Sequence, residues 1–159
     1  MKIIGLDLST KKSGYSIFID NKLISHGVID LSNNKKMDER TRQMMTSVCD
    51  LIKTESPDYV IVEDSYSNGN VQVTKDLAYI IGAVIYQCDC CRISVEKILP
   101  SSWRRRIGII QAKKKRQELK QEAIDMVRNK YSFDPIEDEA EAILIGLSKT
   151  YQYTSELFE

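Results

Sequence analysis

Apolar and polar positions along the chain first follow the two-residue period of β-strands. An apolar run from the N-terminus ends at Asp7 and gives way to turn residues. The segments 14–20 and 23–31 follow it, joined by a polar pair at 21–22, so the three are expected to form an antiparallel meander. Further strands are predicted at 58–63, where a β-branched run ends in a glutamate, and at 92–95.

Helical spacing of apolar residues separates these strands. It covers 36–54 and 71–88, and two more helical stretches, roughly 112–130 and 135–151, close the chain. The resulting order, βββαβαβα with a second closing helix, predicts an α/β fold with a mixed five-stranded sheet flanked by helices.

Length and composition agree with one folded unit. With 159 residues and 42% hydrophobic content, we expect a single domain over 1–159 with an adequate core. No stretch is long enough to span a membrane or has the features of a secretion signal, so a cytoplasmic protein without a membrane partner is expected.

Four carboxylates are the strongest chemical signal. Asp7 and Glu63 each end a predicted strand, and Asp138 and Glu141 lie three residues apart on one face of the last predicted helix. Gathered like charges either take up protons or bind a hard cation through oxygen. We therefore predict a Mg²⁺ site, in which ions held about 3.5 to 4 Å apart support hydrolysis of a phosphodiester. Taken singly, each acid is equally typical of a turn or of a helix N-terminus.

Charge is unevenly distributed although the formal net charge is zero. Residues 97–120 carry nine cations and one acid, whereas residues 134–159 carry seven acids and one cation. A basic block before an acidic helix suits an enzyme that binds nucleic-acid phosphates beside its metal site. The candidate DNA contacts are Lys11, Trp103, Arg104, Arg105, Lys113, Lys114, Lys115 and Arg116. The last four equally fit a solvated helix face, and Trp103 equally fits a core position.

Several short motifs resemble one nuclease family. Gly5-Leu6-Asp7, then Glu63 with Tyr66 three residues later, and the closing segment 138–142 resemble the RuvC-family Holliday junction resolvases. The segment 100–104, which contains a Trp-Arg pair, resembles the compact phage forms. One departure is Glu141, where bacterial members carry aspartate.

The resemblance implies a ribonuclease H-like fold and a metal-dependent crossover junction endodeoxyribonuclease. It also implies a homodimer whose two sites nick symmetric strands of a four-way junction or other branched DNA, leaving 5′-phosphates. Tyr66 would stack on an unpaired base at the branch point. The ion is expected to be Mg²⁺, with Mn²⁺ able to substitute, and for a phage-encoded protein the compartment is the host cytoplasm.

The hypothetical mechanism assigns each acid a role. Asp7 would bridge two ions, Glu63 would hold one, and Asp138 with Glu141 would complete the other side. The dimer surface is predicted on the helix at 78–86, with Tyr79, Ile80, Ala83 and Val84 as candidates.

Two alternatives remain open at this point. The segment 5–10 also resembles the first phosphate-binding loop of actin-like ATPases, although 159 residues are too few for the two domains that those enzymes need. A branched-DNA-binding protein without cleavage, in which Glu141 marks a degraded site, is the other.

Overall fold

The computed structural model describes residues 1–64 and 70–156, and it describes side chains as far as residue 151. The strands in these residues are β1 (Lys2–Asp7), β2 (Lys12–Ile19), β3 (Lys22–Asp30), β4 (Tyr59–Glu63) and β5 (Ser94–Ile98). The helices are α1 (Met37–Glu55), α2 (Val71–Cys90), α3 (Pro100–Arg106), α4 (Arg116–Tyr131) and α5 (Glu137–Glu156).

The five strands form one mixed sheet in the order β3-β2-β1-β4-β5. β1, β2 and β3 pair antiparallel, which confirms the predicted meander, and β4 lies parallel to both β1 and β5. Leu6 stands opposite Val62 in the β1–β4 register. Asp7 and Glu63, the next residues along, therefore leave neighbouring strands at the same edge of the sheet.

Helices cover both faces of the sheet. α1 and α2 bury one face around Ile4, Leu6 and Val62, while the helices from α3 onward bury the other around Ile3, Ile61 and Trp103. The alternation along β1 and β4 explains this division, because successive side chains of a strand point to opposite faces. Since helices cover both faces of the sheet, a ligand can approach it only at the ends of the strands, where the polar groups lie.

Two element starts differ from the sequence prediction and one short helix was missed, each for a local reason. The helix predicted at 112–130 begins only at Arg116, because Lys113 has a φ of 66° and the backbone N–H of Lys115 donates to the Glu118 side chain at the helix start. The last strand begins at Ser94 because Arg92 has a φ of 58°. The short helix α3 was not predicted, since seven residues give too little periodicity to detect.

α5 lies unusually close to the sheet. A Cβ added to Gly5 would stand 2.5 Å from the Gly146 backbone nitrogen, and one added to Gly146 would stand 2.6 Å from Ser16 Oγ. Ser16 Oγ also donates to the Ala142 carbonyl at 2.7 Å. This glycine-mediated contact sets the depth at which the acidic first turns of α5 meet the ends of the strands.

Part of the dimer surface predicted on α2 lies in the core. Ile80 and Val84 are fully buried in the core, so their assignment to a dimer surface was wrong. The exposed face carries Tyr79 and, two turns further along, Tyr86, whose side chains are 57% and 71% exposed. No helix in the described residues is long and apolar enough to cross a membrane.

Candidate active site

The four predicted acids come from three elements and meet at one edge of the sheet. Asp7 ends β1, Glu63 ends the adjacent β4, and Asp138 and Glu141 lie on the first two turns of α5. The charges of the other three carboxylates all act on Asp7, so the structure brings the predicted set into one neighbourhood.

Asp7 is the electrostatic centre of this cluster. Burial first, and then the carboxylates of Glu63, Glu141 and Asp138, raise the pKa of Asp7 well above its usual range. A carboxylate in such surroundings resists ionisation unless a cation compensates it. The cluster therefore favours the binding of a cation more strongly than an isolated acid would.

Glu63 shows the same effect to a smaller extent. Burial raises the pKa of Glu63 to about 7, a hydrogen bond from Trp103 opposes the rise, and the Glu141 carboxylate adds to it. The guanidinium groups of Arg104 and Arg116 also act to lower this pKa, which places both cations near the acidic cluster.

Asp138 faces two lysines as well as acids. Burial and the neighbouring Glu137 raise the pKa of Asp138, and Lys12 and Lys120 act in the opposite direction. Lys12 lies in β2 and Lys120 in α4. Lys120 was not predicted as a site residue, because nothing in the local sequence connects it with α5.

α3 contacts two of the four acids directly. The Trp103 indole Nε1 donates to Glu63 Oε2 at 2.6 Å, and Arg104 Nη2 pairs with Glu141 Oε1 at 2.8 Å. Trp103 is fully buried, so its prediction as a base-stacking DNA contact was wrong. The predicted phosphate contact of Arg104 is also not what the structure shows, because its guanidinium is turned inward. The Trp-Arg pair in the sequence indicated that this segment is functional, but it did not indicate that Glu63 and Glu141 are its partners.

The other predicted DNA-binding cations lie on the surface. Lys11 and Arg105 are exposed, as is the segment 113–116, although Lys114 is paired with Glu122 at 2.7 Å. The charge of Arg116 helps to lower the pKa of Glu63, so the start of α4 is near enough to the acids to act on them through space. Tyr66, the predicted stacking residue, lies outside the described residues.

A histidine supports the acidic helix from β3. His26 Nδ1 lies 2.6 Å from Glu139 Oε1, and its ring stacks on Phe133 with a centroid separation of 4.4 Å. Glu139 follows Asp138 directly, so this contact helps to place the first turn of α5. His26 itself lies within β3, so this contact joins the sheet to α5.

The donor chemistry of the cluster fits a hard divalent ion. All four groups offer carboxylate oxygens, the ligands that Mg²⁺ prefers, and their mutual repulsion would be relieved by a cation. Among the side chains described, however, no three acidic, histidine or cysteine groups stand close enough to hold a metal ion as they are. Two of the four acids, Glu63 and Glu141, are instead engaged by α3.

Sequence comparison identifies relatives of the chain. Residues 3–148 match the family described as crossover junction endodeoxyribonuclease RuvC. The RuvC proteins of Caldicellulosiruptor saccharolyticus and Chlamydia muridarum are 25% and 30% identical to it over 105 residues. Each match covers 63% of this chain, and 63% and 62% of the respective relatives, so the chain spans less than two thirds of the length of these proteins.

A solved structure shows the same architecture. The chain superimposes on T. thermophilus RuvC in complex with a Holliday junction substrate with a TM-score of 0.73 at 18% identity, covering 98% of this chain and 96% of that one. This likeness confirms the predicted ribonuclease H-like fold. Because the family match extends over most of its sequence, the chain belongs to the RuvC family of crossover junction endodeoxyribonucleases.

Proposed function

We propose that this protein is a metal-dependent endodeoxyribonuclease that resolves Holliday junctions and related branched DNA by paired nicking. The observation that carries the proposal is the convergence of four carboxylates from β1, β4 and α5 into one coupled cluster. Membership of the RuvC family supports the reaction, and the Holliday junction bound to the Thermus relative supports the substrate.

Asp7, Glu63, Asp138 and Glu141 would hold the ion. A bound Mg²⁺, or Mn²⁺ in its place, would supply activation of a water and stabilisation of the departing oxygen of the phosphodiester. Asp7 is the residue on which the other carboxylates act, so it is assigned the central position.

The exposed cations would orient the DNA. Lys11 lies in the loop between β1 and β2, and Arg116 begins α4 near Glu63. Both side chains are exposed, so they lie on the surface around the acids. Phosphate contacts from such residues position a duplex without reading its sequence. Arg105, Lys113 and Lys115 extend this surface, and Lys114 joins it if its pairing with Glu122 opens.

Paired nicking requires two active sites, and we assign the second to another copy of this chain. The exposed face of α2, with Tyr79 and Tyr86, is the proposed contact, because two large apolar side chains there are left in solvent. A two-fold dimer matches the symmetry of a four-way junction.

We also assign the chain to the phage-type branch of the family, because α3 carries the Trp-Arg pair. Its proposed place of action is the cytoplasm.

A junction assay with one isosteric variant tests this proposal. Asp7→Asn should lower nicking of a synthetic four-way junction by at least about 100-fold, because it removes the central carboxylate. Binding of the same junction in EDTA should persist. Asp50→Asn, which removes an exposed acid from α1, is the matched control and should nick normally.

A junction-binding protein without cleavage is the second candidate. It is favoured by the engagement of Glu141 with Arg104 and by the absence of a ready ligand set in the described residues. Such a protein binds branched DNA equally with EDTA or Mg²⁺ and never nicks it. Nicking by the unaltered protein that depends on Mg²⁺ and on Asp7 would exclude this candidate, and normal nicking by Asp7→Asn would overturn the proposed mechanism.

A further inference from the structure

Arg104 forms the one direct ion pair that the described residues make with any of the four acids. Its Nη2 lies 2.8 Å from Glu141 Oε1, and the two side chains are only 13% and 10% exposed. The guanidinium carbon stands 4.7 Å from the centroid of the Trp103 ring. The arginine is thus held from two sides, by a carboxylate and by an aromatic face.

This ion pair occupies an oxygen that a divalent ion would need. A carboxylate oxygen that accepts a charged hydrogen bond from a guanidinium has less electron density to offer a metal, and its orientation is set by the arginine. Separating a pair with so little solvent exposure is costly, because each partner then loses its counterion where little water can replace it. Metal binding through Glu141 must therefore compete with Arg104.

Trp103 makes the competition a property of the whole helix α3. Adjacent residues of that helix contact Glu63 and Glu141, so a shift of α3 would change both contacts together. The Arg104 Nε atom is buried and has no hydrogen-bond partner within the described residues, so the guanidinium is not bound at full capacity in this position. Arg104 is thus fixed by its contacts with Glu141 and Trp103, while its Nε donor stays unused.

We propose that Arg104 is a resident counterion of Glu141, which a divalent ion has to displace, and that it thereby sets the metal affinity of the acidic cluster. Arg104 acts through Glu141 and is a positioning residue. The inference rests on the proposed function, since it presumes that these four acids bind the ion. Loss of one of the four acids should weaken metal binding, whereas loss of Arg104 should make it tighter.

Calorimetric titration of the DNA-free protein with Mn²⁺ tests this inference without using activity. Arg104→Gln should bind Mn²⁺ about tenfold more tightly than the unaltered protein, because Glu141 is released. Arg105→Gln is the matched control: it removes the neighbouring arginine, which is exposed, and should leave the Mn²⁺ affinity unchanged.

A double variant separates release of Glu141 from a general loss of positive charge. When Glu141 is already glutamine, adding Arg104→Gln should improve Mn²⁺ affinity by no more than about threefold, since no carboxylate is freed. An equal gain in both backgrounds would overturn the role of Glu141. So would a gain of the same size in Arg105→Gln.

A second substitution covers the case in which Arg104→Gln does not fold, as judged by its circular dichroism. Arg104→Lys keeps the charge but lacks the planar fork, so it should bind Mn²⁺ more tightly than the unaltered protein, by less than the tenfold expected for Arg104→Gln. Weaker binding than the unaltered protein in either variant would overturn the inference and leave the nuclease function standing. If no version of the protein binds Mn²⁺, both the inference and the proposed metal site fail.

Discussion

Glu63 makes a clear prediction about stability, because its environment favours the protonated form. Its pKa is raised from 4.5 to about 7, mainly by burial. Between these two values the folded protein binds one more proton than the unfolded chain at this position. The free energy of unfolding therefore falls as the pH rises through this window, and the contribution present below pH 4.5 is lost above about pH 7.

The size of the effect follows from the same two values. One pKa unit corresponds to about 1.4 kcal/mol, so the rise from 4.5 to about 7 corresponds to at most about 3 kcal/mol. The glutamine introduced by Glu63→Gln would imitate the protonated carboxyl, keep an oxygen for the Trp103 indole, and carry no charge at any pH. In the metal-free protein, Glu63→Gln should therefore be neutral at low pH and stabilising at high pH.

Urea unfolding in EDTA, followed at several values between about pH 4.5 and about pH 8, measures this difference directly. The free energy of unfolding of Glu63→Gln minus that of the unaltered protein should rise by up to about 3 kcal/mol across the window. Subtracting the two curves removes the contribution of other titrating groups that the substitution does not affect. Adding Mg²⁺ at high pH should stabilise the unaltered protein more than the variant, because the ion replaces the missing compensation.

Two parallel pH curves would refute the reasoning, since they would mean that Glu63 ionises as freely in the folded protein as in the unfolded chain. A variant that is less stable than the unaltered protein at high pH would refute it as well. That result would show that the negative charge of Glu63 is already compensated in the metal-free protein, with the Trp103 indole and the nearby arginines sufficient for the task.

Three further predictions test the packing, the DNA surface and the dimer. Gly5→Ala should lower the free energy of unfolding by about 2 to 3 kcal/mol in urea unfolding, because the new Cβ would meet the backbone of α5. Arg116→Gln should weaken junction binding in EDTA about threefold and reduce the salt dependence of binding by about one counterion, as measured by fluorescence anisotropy. Tyr86→Glu should shift the protein from dimer to monomer in sedimentation velocity, because it places a charge on the exposed face of α2.

Each of these predictions has a matched control. Gly82→Ala adds a Cβ with no atom within 4 Å and should stabilise α2 by up to about 1 kcal/mol, so equal destabilisation by both alanines would contradict the close approach of α5. Lys53→Gln removes an exposed cation at the far end of α1, and its loss should leave the salt dependence unchanged. Ile24→Glu charges an exposed residue of β3 and should leave the dimer intact, whereas a monomer in this variant, or a dimer in Tyr86→Glu, would argue against the α2 surface.

The sheet was predictable because each of its strands has a local signature. Asp7 and Glu63 each follow an apolar run, and the change from apolar to polar residues marks a strand end wherever that strand lies in the sheet. The spacing of Asp138 and Glu141 placed both on one helical face for an equally local reason. What the pattern missed was α3, which is too short for its period to be visible.

The contacts of α3 could not be predicted by any such rule. An aromatic residue beside arginines is typical of DNA-binding surfaces, and it is equally typical of a buried helix that meets an acid. Trp103 is separated from Glu63 by 40 positions and Arg104 from Glu141 by 37. Only the three-dimensional path of the chain brings these residues together.

The amino-acid sequence alone determined the order of the strands and the longer helices, the four acids and the family, because all of these are encoded in short-range patterns and motifs. The tertiary structure decided which groups compensate those acids. It turned Trp103 and Arg104 inward, left Arg116 on the surface beside Glu63, and set the depth of α5 through its contact with Gly5. Electrostatic compensation depends on distances between groups that are remote in sequence, and those distances exist only once the sheet and its helices have packed.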